Sequence, residues 1–86
     1  MKQSIITKIF NESTIIRSDG YNSFCVVNQS VTSDVIVNNN IVLTPGQAFG
    51  IYNDSNIIIE TNIDIRFTKT DNLNKILIIF LYNKKQ

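Results

Sequence analysis

The sequence predicts an all-β fold: a small antiparallel β-sandwich, immunoglobulin-like or jelly-roll-like, of about eight short strands. Three observations carry that expectation. Short runs rich in Ile and Val alternate with polar clusters of Asn, Asp, Ser and Gly, the pattern of strands between turns. No segment sustains a helical period with caps. The stretch Asn62 to Thr68 alternates cleanly, with Ile63, Ile65 and Phe67 on one face and Asp64 and Arg66 on the other.

Taken in order, Ser4 to Phe10 is expected as the first strand. Ile5, Ile6 and Ile9 would share a helical face, but the segment is short, β-branched and uncapped. Thr14 to Ser18 is a short strand ended by Ser18-Asp19-Gly20, and Phe24 to Asn28 follows. Asp34 to Val37, Ile41 to Thr44 and Ala48 to Tyr52 each place two apolar residues on one face. Ile57 to Glu60, Asn62 to Thr68 and Lys75 to Asn83 complete the set. Residues 1–86 hold one domain, with no internal repeat.

Two turns specify how these strands are wound. Asn38-Asn39-Asn40 joins two strands through three residues. Asn tolerates a left-handed backbone, as a tight hairpin with a bulge requires. Thr44-Pro45-Gly46-Gln47 has Pro then Gly at its centre, the signature of a type II turn. Such a turn splays its flanking strands, so it fits a corner where the chain leaves one sheet for the other.

Composition excludes several activities. One cysteine, Cys25, permits no internal disulfide, and its apolar neighbours Phe24, Val26 and Val27 make it a small buried hydrophobe. With no histidine there is no Ser-His or Cys-His pair, and the commonest metal ligand is missing. Three glycines form no phosphate loop. No enzyme, no cofactor and no metal site is expected. Asn53-Asp54-Ser55-Asn56 with Glu60 offers oxygen ligands but lacks calcium-loop spacing, so it reads as an Asx-rich turn. A net charge of +1, spread along the chain, gives no nucleic-acid stripe. The longest apolar run, Ile76 to Tyr82, is far shorter than the roughly 20 residues of a membrane helix. Thr7 and Lys8 interrupt the start before a signal-type apolar region forms, so use without export is expected.

A domain this small has a marginal core and commonly leans on disulfides, metal or a partner. A partner is the device left. The strand from Lys75 to Tyr82 is apolar on both faces, where a strand with one wet face should alternate. Its residues Ile76, Ile78, Phe80 and Tyr82 are the expected interface. The competing expectation is a core strand covered by Ile5, Ile6 and Ile9 of the first strand.

At Phe24-x-Val26-x-Asn28, Val35-x-Val37-Asn38, Leu43-x-Pro45-Gly46-x-x-Phe49-x-Ile51 and Ile63-x-Ile65-x-Phe67, the chain resembles small β-rich virion proteins of tailed bacteriophages. These are capsid-decoration and head-fibre proteins, particularly of crAss-like phages. The resemblance spans residues 24–67. It implies a structural role on a virion, as a homo-oligomer (dimer or trimer) in contact with capsid or other virion proteins, made in the host cytoplasm. It carries no catalytic or ligand residue over. The alternative expectation is a small soluble binding module for a surface glycan or host protein, working through loop residues Tyr21, Tyr52 and Asp54.

Overall fold

A computed structural model describes residues 2–53 and 57–84. Asp54, in the expected Asx-rich turn, lies outside the described residues. Eight strands run in order: β1 Lys2–Phe10, β2 Thr14–Ile16, β3 Ser23–Asn28, β4 Val35–Val37, β5 Ile41–Leu43, β6 Ala48–Ile51, β7 Ile63–Phe67 and β8 Ile76–Lys84. They form two four-stranded sheets. The front sheet has the order β1-β8-β3-β6 and the back sheet β2-β7-β4-β5, with every pair antiparallel.

The pairings nest. β1 pairs β8, β2 pairs β7, β3 pairs β6 and β4 pairs β5. The chain is therefore one long hairpin, folded at Asn38–Asn40 and rolled up so that successive strands on each arm alternate between sheets. Cross-pairing of β3 with β8 and of β4 with β7 closes the roll. This is the jelly-roll arrangement of a double-sheet sandwich, not the immunoglobulin one.

Both turns behave as their residues require. Asn38 and Asn39 hold φ of 50° and 68°, and Val37 pairs directly with Ile41. Two consecutive left-handed residues match the twist of the flanking strands, as in a type I′ turn. At the second turn Gly46 holds φ of 89°, and the Gln47 N–H donates to the Thr44 carbonyl at 2.9 Å. The chain leaves the back sheet at Leu43 and enters the front sheet at Ala48. The proline-glycine turn is thus the corner between sheets. The Gly46 N–H donates to the Asn28 carbonyl at 2.8 Å and the Asn28 N–H to the Gln47 carbonyl at 2.9 Å, which pins that corner to β3.

One expected strand is absent. Ile57 to Glu60 forms no strand. The Asn22 side-chain amide donates to the Ile57 carbonyl at 2.6 Å, and the Ile59 N–H donates to the Tyr21 carbonyl at 2.9 Å. These isolated bonds hold the segment against the loop before β3. Ile57 and Ile58 remain more than half exposed.

The core lies between the sheets. Val26, Ile76, Ile78 and Phe80 from the front sheet meet Val35, Val37, Ile63 and Ile65 from the back sheet, all at 0–1% exposure. Its two ends are closed differently. At one, Tyr21 is fully buried among Phe24, Phe80 and Tyr82, with ring centroids 5.0 to 6.4 Å apart, and its hydroxyl donates to the Thr61 carbonyl at 2.9 Å. The ring supplies apolar area, and the satisfied hydroxyl removes the cost of burying it. At the other end, the buried side chains of Asn28, Ser30, Ser33 and Asn74 bond to backbone and to each other.

Candidate interaction surface

The expected interface residues are not on the surface. Ile76, Ile78 and Phe80 are at most 1% exposed and face the back sheet, so they are core residues of a single chain. Tyr82 is partly buried beside them, and its hydroxyl donates to Asp19 Oδ1 at 2.7 Å. Burial and that bond to the carboxylate, together with the nearby Asp19 charge, push the Tyr82 phenol up to about 12. The competing expectation of a core strand holds for the inner row of β8 but not for what covers it. β1 does not lie over β8: it pairs beside it at the sheet edge, leaving Ile5 69%, Ile6 43% and Ile9 55% exposed.

The loop residues fare similarly. Tyr21 is in the core, and burial, then the Asp19 charge, raises its phenol pKa. It is therefore no binding tyrosine. Tyr52 is 69% exposed at the end of β6. Tyr21 and Tyr52 belong to different environments and form no joint site.

What the structure does bring together is the other face of the front sheet. Because side chains alternate, the residues between the buried ones point outward. The register aligns Ile5 with Leu81 and Ser23, Thr7 with Ile79 and Cys25, and Ile9 with Leu77 and Val27. Ala48 and Gly50 of β6 continue these rows, and Tyr52 stands beyond the strand end. Ile5, Cys25, Gly50, Tyr52, Ile79 and Leu81 line a shallow apolar groove of about 390 Å³, so Cys25, expected as a buried hydrophobe, is instead half-buried on the outer face. No residue of these aligned rows is charged. Gly50 shapes the groove by its missing side chain: a Cβ there would stand 2.8 Å from the Phe24 carbonyl oxygen. Only glycine lets β6 approach β3 this closely.

The outer face of the back sheet is different. Asp64 and Arg66 sit at its middle strand as an ion pair at 3.4 Å, beside the exposed Ile15 and Val42. That pair keeps the face compatible with water and contributes little else.

A second depression, about 550 Å³, lies at the Asn28 end between Asn11, Glu12, Phe67, Lys69, Asp71 and Asn72. Both oxygens of Asp71 are engaged, by the Leu73 N–H at 2.8 Å and the Thr32 hydroxyl at 2.9 Å. These bonds hold its carboxyl below the usual aspartate range. Among the described residues, no group of three or more acidic residues or cysteines could hold a metal ion, and no helix is long and apolar enough to cross a membrane.

Sequence reasoning saw that β8 is apolar on both faces but assigned its outward face to the wrong set of alternate residues. No local signal distinguishes them, and Lys8 points the wrong way, since a charge ordinarily marks the wet row. Its register partner is Ile78, and its ammonium lies 5.8 Å from the Phe80 ring centre, so a charge falls on the inner row and none on the outer.

Fold and surface together define a class: a small jelly-roll domain with one charged and one uncharged outer face. No family model, curated protein or solved structure matches the chain.

Proposed function

We propose that this chain is a non-enzymatic structural protein of a phage virion. It decorates the capsid, or forms or anchors a short head or tail fibre, and associates through the outer face of its front sheet. The observation that carries this reading is the uncharged apolar face of Ile5, Ile9, Leu77, Ile79 and Leu81. A contiguous apolar patch on so small a domain marks an interaction site more often than a solvated surface. The nested jelly roll is compatible with it, since that architecture recurs in viral capsid domains as well as in lectins. The resemblance over residues 24–67 points the same way.

The test is electron microscopy of particles made with and without the gene. Loss of a surface feature, restored by complementation, supports the reading. Unchanged particles refute it.

A second reading, a binding module for a surface glycan or host protein, draws on the polar depression around Glu12, Lys69, Asp71 and Asn72, with Phe67 on its wall. Glycans are bound by such mixtures of amides, charges and one aromatic face. A glycan array that shows saturable binding, lost in Lys69→Ala and kept in Ile79→Lys, favours this reading over the first.

A further inference from the structure

We propose that a second copy of this chain covers the outer face of the front sheet, sheet against sheet, as a closed two-fold dimer. This deepens the structural reading above and rests on it for the idea of a repeated subunit.

The outer face differs from the sheet edge in how it is guarded. β1 is the exposed edge strand of the front sheet and carries nine residues without a proline. Such an edge invites pairing with another chain, and natural sheets block it with inward-pointing charges. Lys8 is such a charge, held toward the inner side over Phe80. The edge is therefore guarded. The outer face has no equivalent guard, since its aligned rows carry no charge.

Four strands at about 4.8 Å spacing span about 19 Å, and strands of four to nine residues at about 3.4 Å per residue run about 14–30 Å. Taken strand by strand, the flat face is then roughly 460 Å². Protruding side chains enlarge it, so two such faces together bury about 1,000 Å² or more, the size a specific interface must clear. Sheets in sandwiches stack face to face about 10 Å apart, the packing that a copy of this face would repeat.

A copy of this face brings no charge into the contact, so none is stripped of water without a partner. The same patch on both subunits is what a two-fold contact requires. The Asp64–Arg66 pair marks the other face as solvent-facing, so growth stops at two. Ile79 and Cys25, register partners on the two middle strands, fall near the centre of the contact.

Size-exclusion light scattering tests this at roughly 100 μM chain, a hundredfold above a micromolar Kd. The wild type is expected at twice the chain mass. Ile79→Lys and Ile5→Lys are expected at one chain mass, with unchanged circular dichroism. Ile5 is 69% exposed on an edge strand, so its substitution leaves the fold intact even if the Ile79 variant does not fold. Alkylation of Cys25 supplies a second readout: slow in the wild type, fast in the monomeric variants. A monomeric wild type, a dimer that survives both folded variants, or a thiol that reacts freely within the dimer would each overturn the proposal. A monomer that still binds purified particles would remove this inference and leave the virion role standing. A dimer that never associates with particles would do the reverse.

Discussion

Asn28 ties the two sheets together, and its removal gives the most specific stability prediction. Its side chain is fully buried. The amide nitrogen donates to the Ser33 carbonyl and to the Leu43 carbonyl, each at 2.9 Å, and the oxygen accepts from the Ser30 N–H at 2.9 Å. Two carbonyls on one side and one N–H on the other leave a single orientation for the amide. In Asn28→Ala three buried backbone groups lose their partners, at about 1–3 kcal/mol each, and neighbouring losses are not fully additive. The expected destabilisation is about 3–5 kcal/mol. A domain of 86 residues has only roughly 4–13 kcal/mol in total, so much of it would go. Urea unfolding followed by circular dichroism measures the loss, with an unchanged m-value as the sign that two-state behaviour is kept. Asn28→Asp is the control. It preserves the acceptor for Ser30 but sets a carboxylate oxygen against two carbonyls, so at neutral pH it should be no more stable than Asn28→Ala. A loss below about 1 kcal/mol for Asn28→Ala would refute the bridging argument, since that is the scale of one ordinary hydrogen bond.

The other predictions concern the turns, the groove and pH. Gly46→Ala meets nothing within 4 Å, so its cost is conformational only, about 1 kcal/mol from a φ of 89°, and thermal melting should show a correspondingly small drop. Gly50→Ala is expected to cost more, about 1–3 kcal/mol, because the new Cβ meets the β3 backbone at 2.8 Å; hydrogen exchange should show β6 loosening before the rest of the front sheet. The raised Tyr82 phenol makes stability fall with rising pH. The unfolded chain ionises near the ordinary value of 10 and the folded chain only near 12, so the contribution is complete below 10 and is lost through 12. A near-ultraviolet titration in which Tyr82→Phe leaves the highest phenolate transition unchanged would contradict this.

The local features of the fold were legible because each depends on neighbouring residues. Strand positions followed from Ile and Val runs. The hairpin followed from three asparagines, and the sheet-crossing corner from one proline and one glycine. What could not be read was which strands lie side by side. Alternation gives faces, and β8 is apolar on both. The identity of its buried face depends on pairing with β1 and β3, which are distant in sequence. Tyr21 was misread for a similar reason. Flanked by Gly20 and Asn22, it looks like a loop tyrosine, yet its hydroxyl partner is the Thr61 carbonyl, 40 residues away. Ile57 to Ile59 looked like a strand on propensity, but the bonds that would make a ladder are replaced by single bonds to Tyr21 and Asn22.

The proposed virion role is tested most directly by counting this chain in purified particles. Particles of the phage source proposed above would be banded by density, washed in high salt and analysed by quantitative mass spectrometry against the major capsid protein. The account predicts many copies per particle, retained through the wash. Recovery of the chain in the unassembled fraction of the lysate, with none on washed particles, would contradict it.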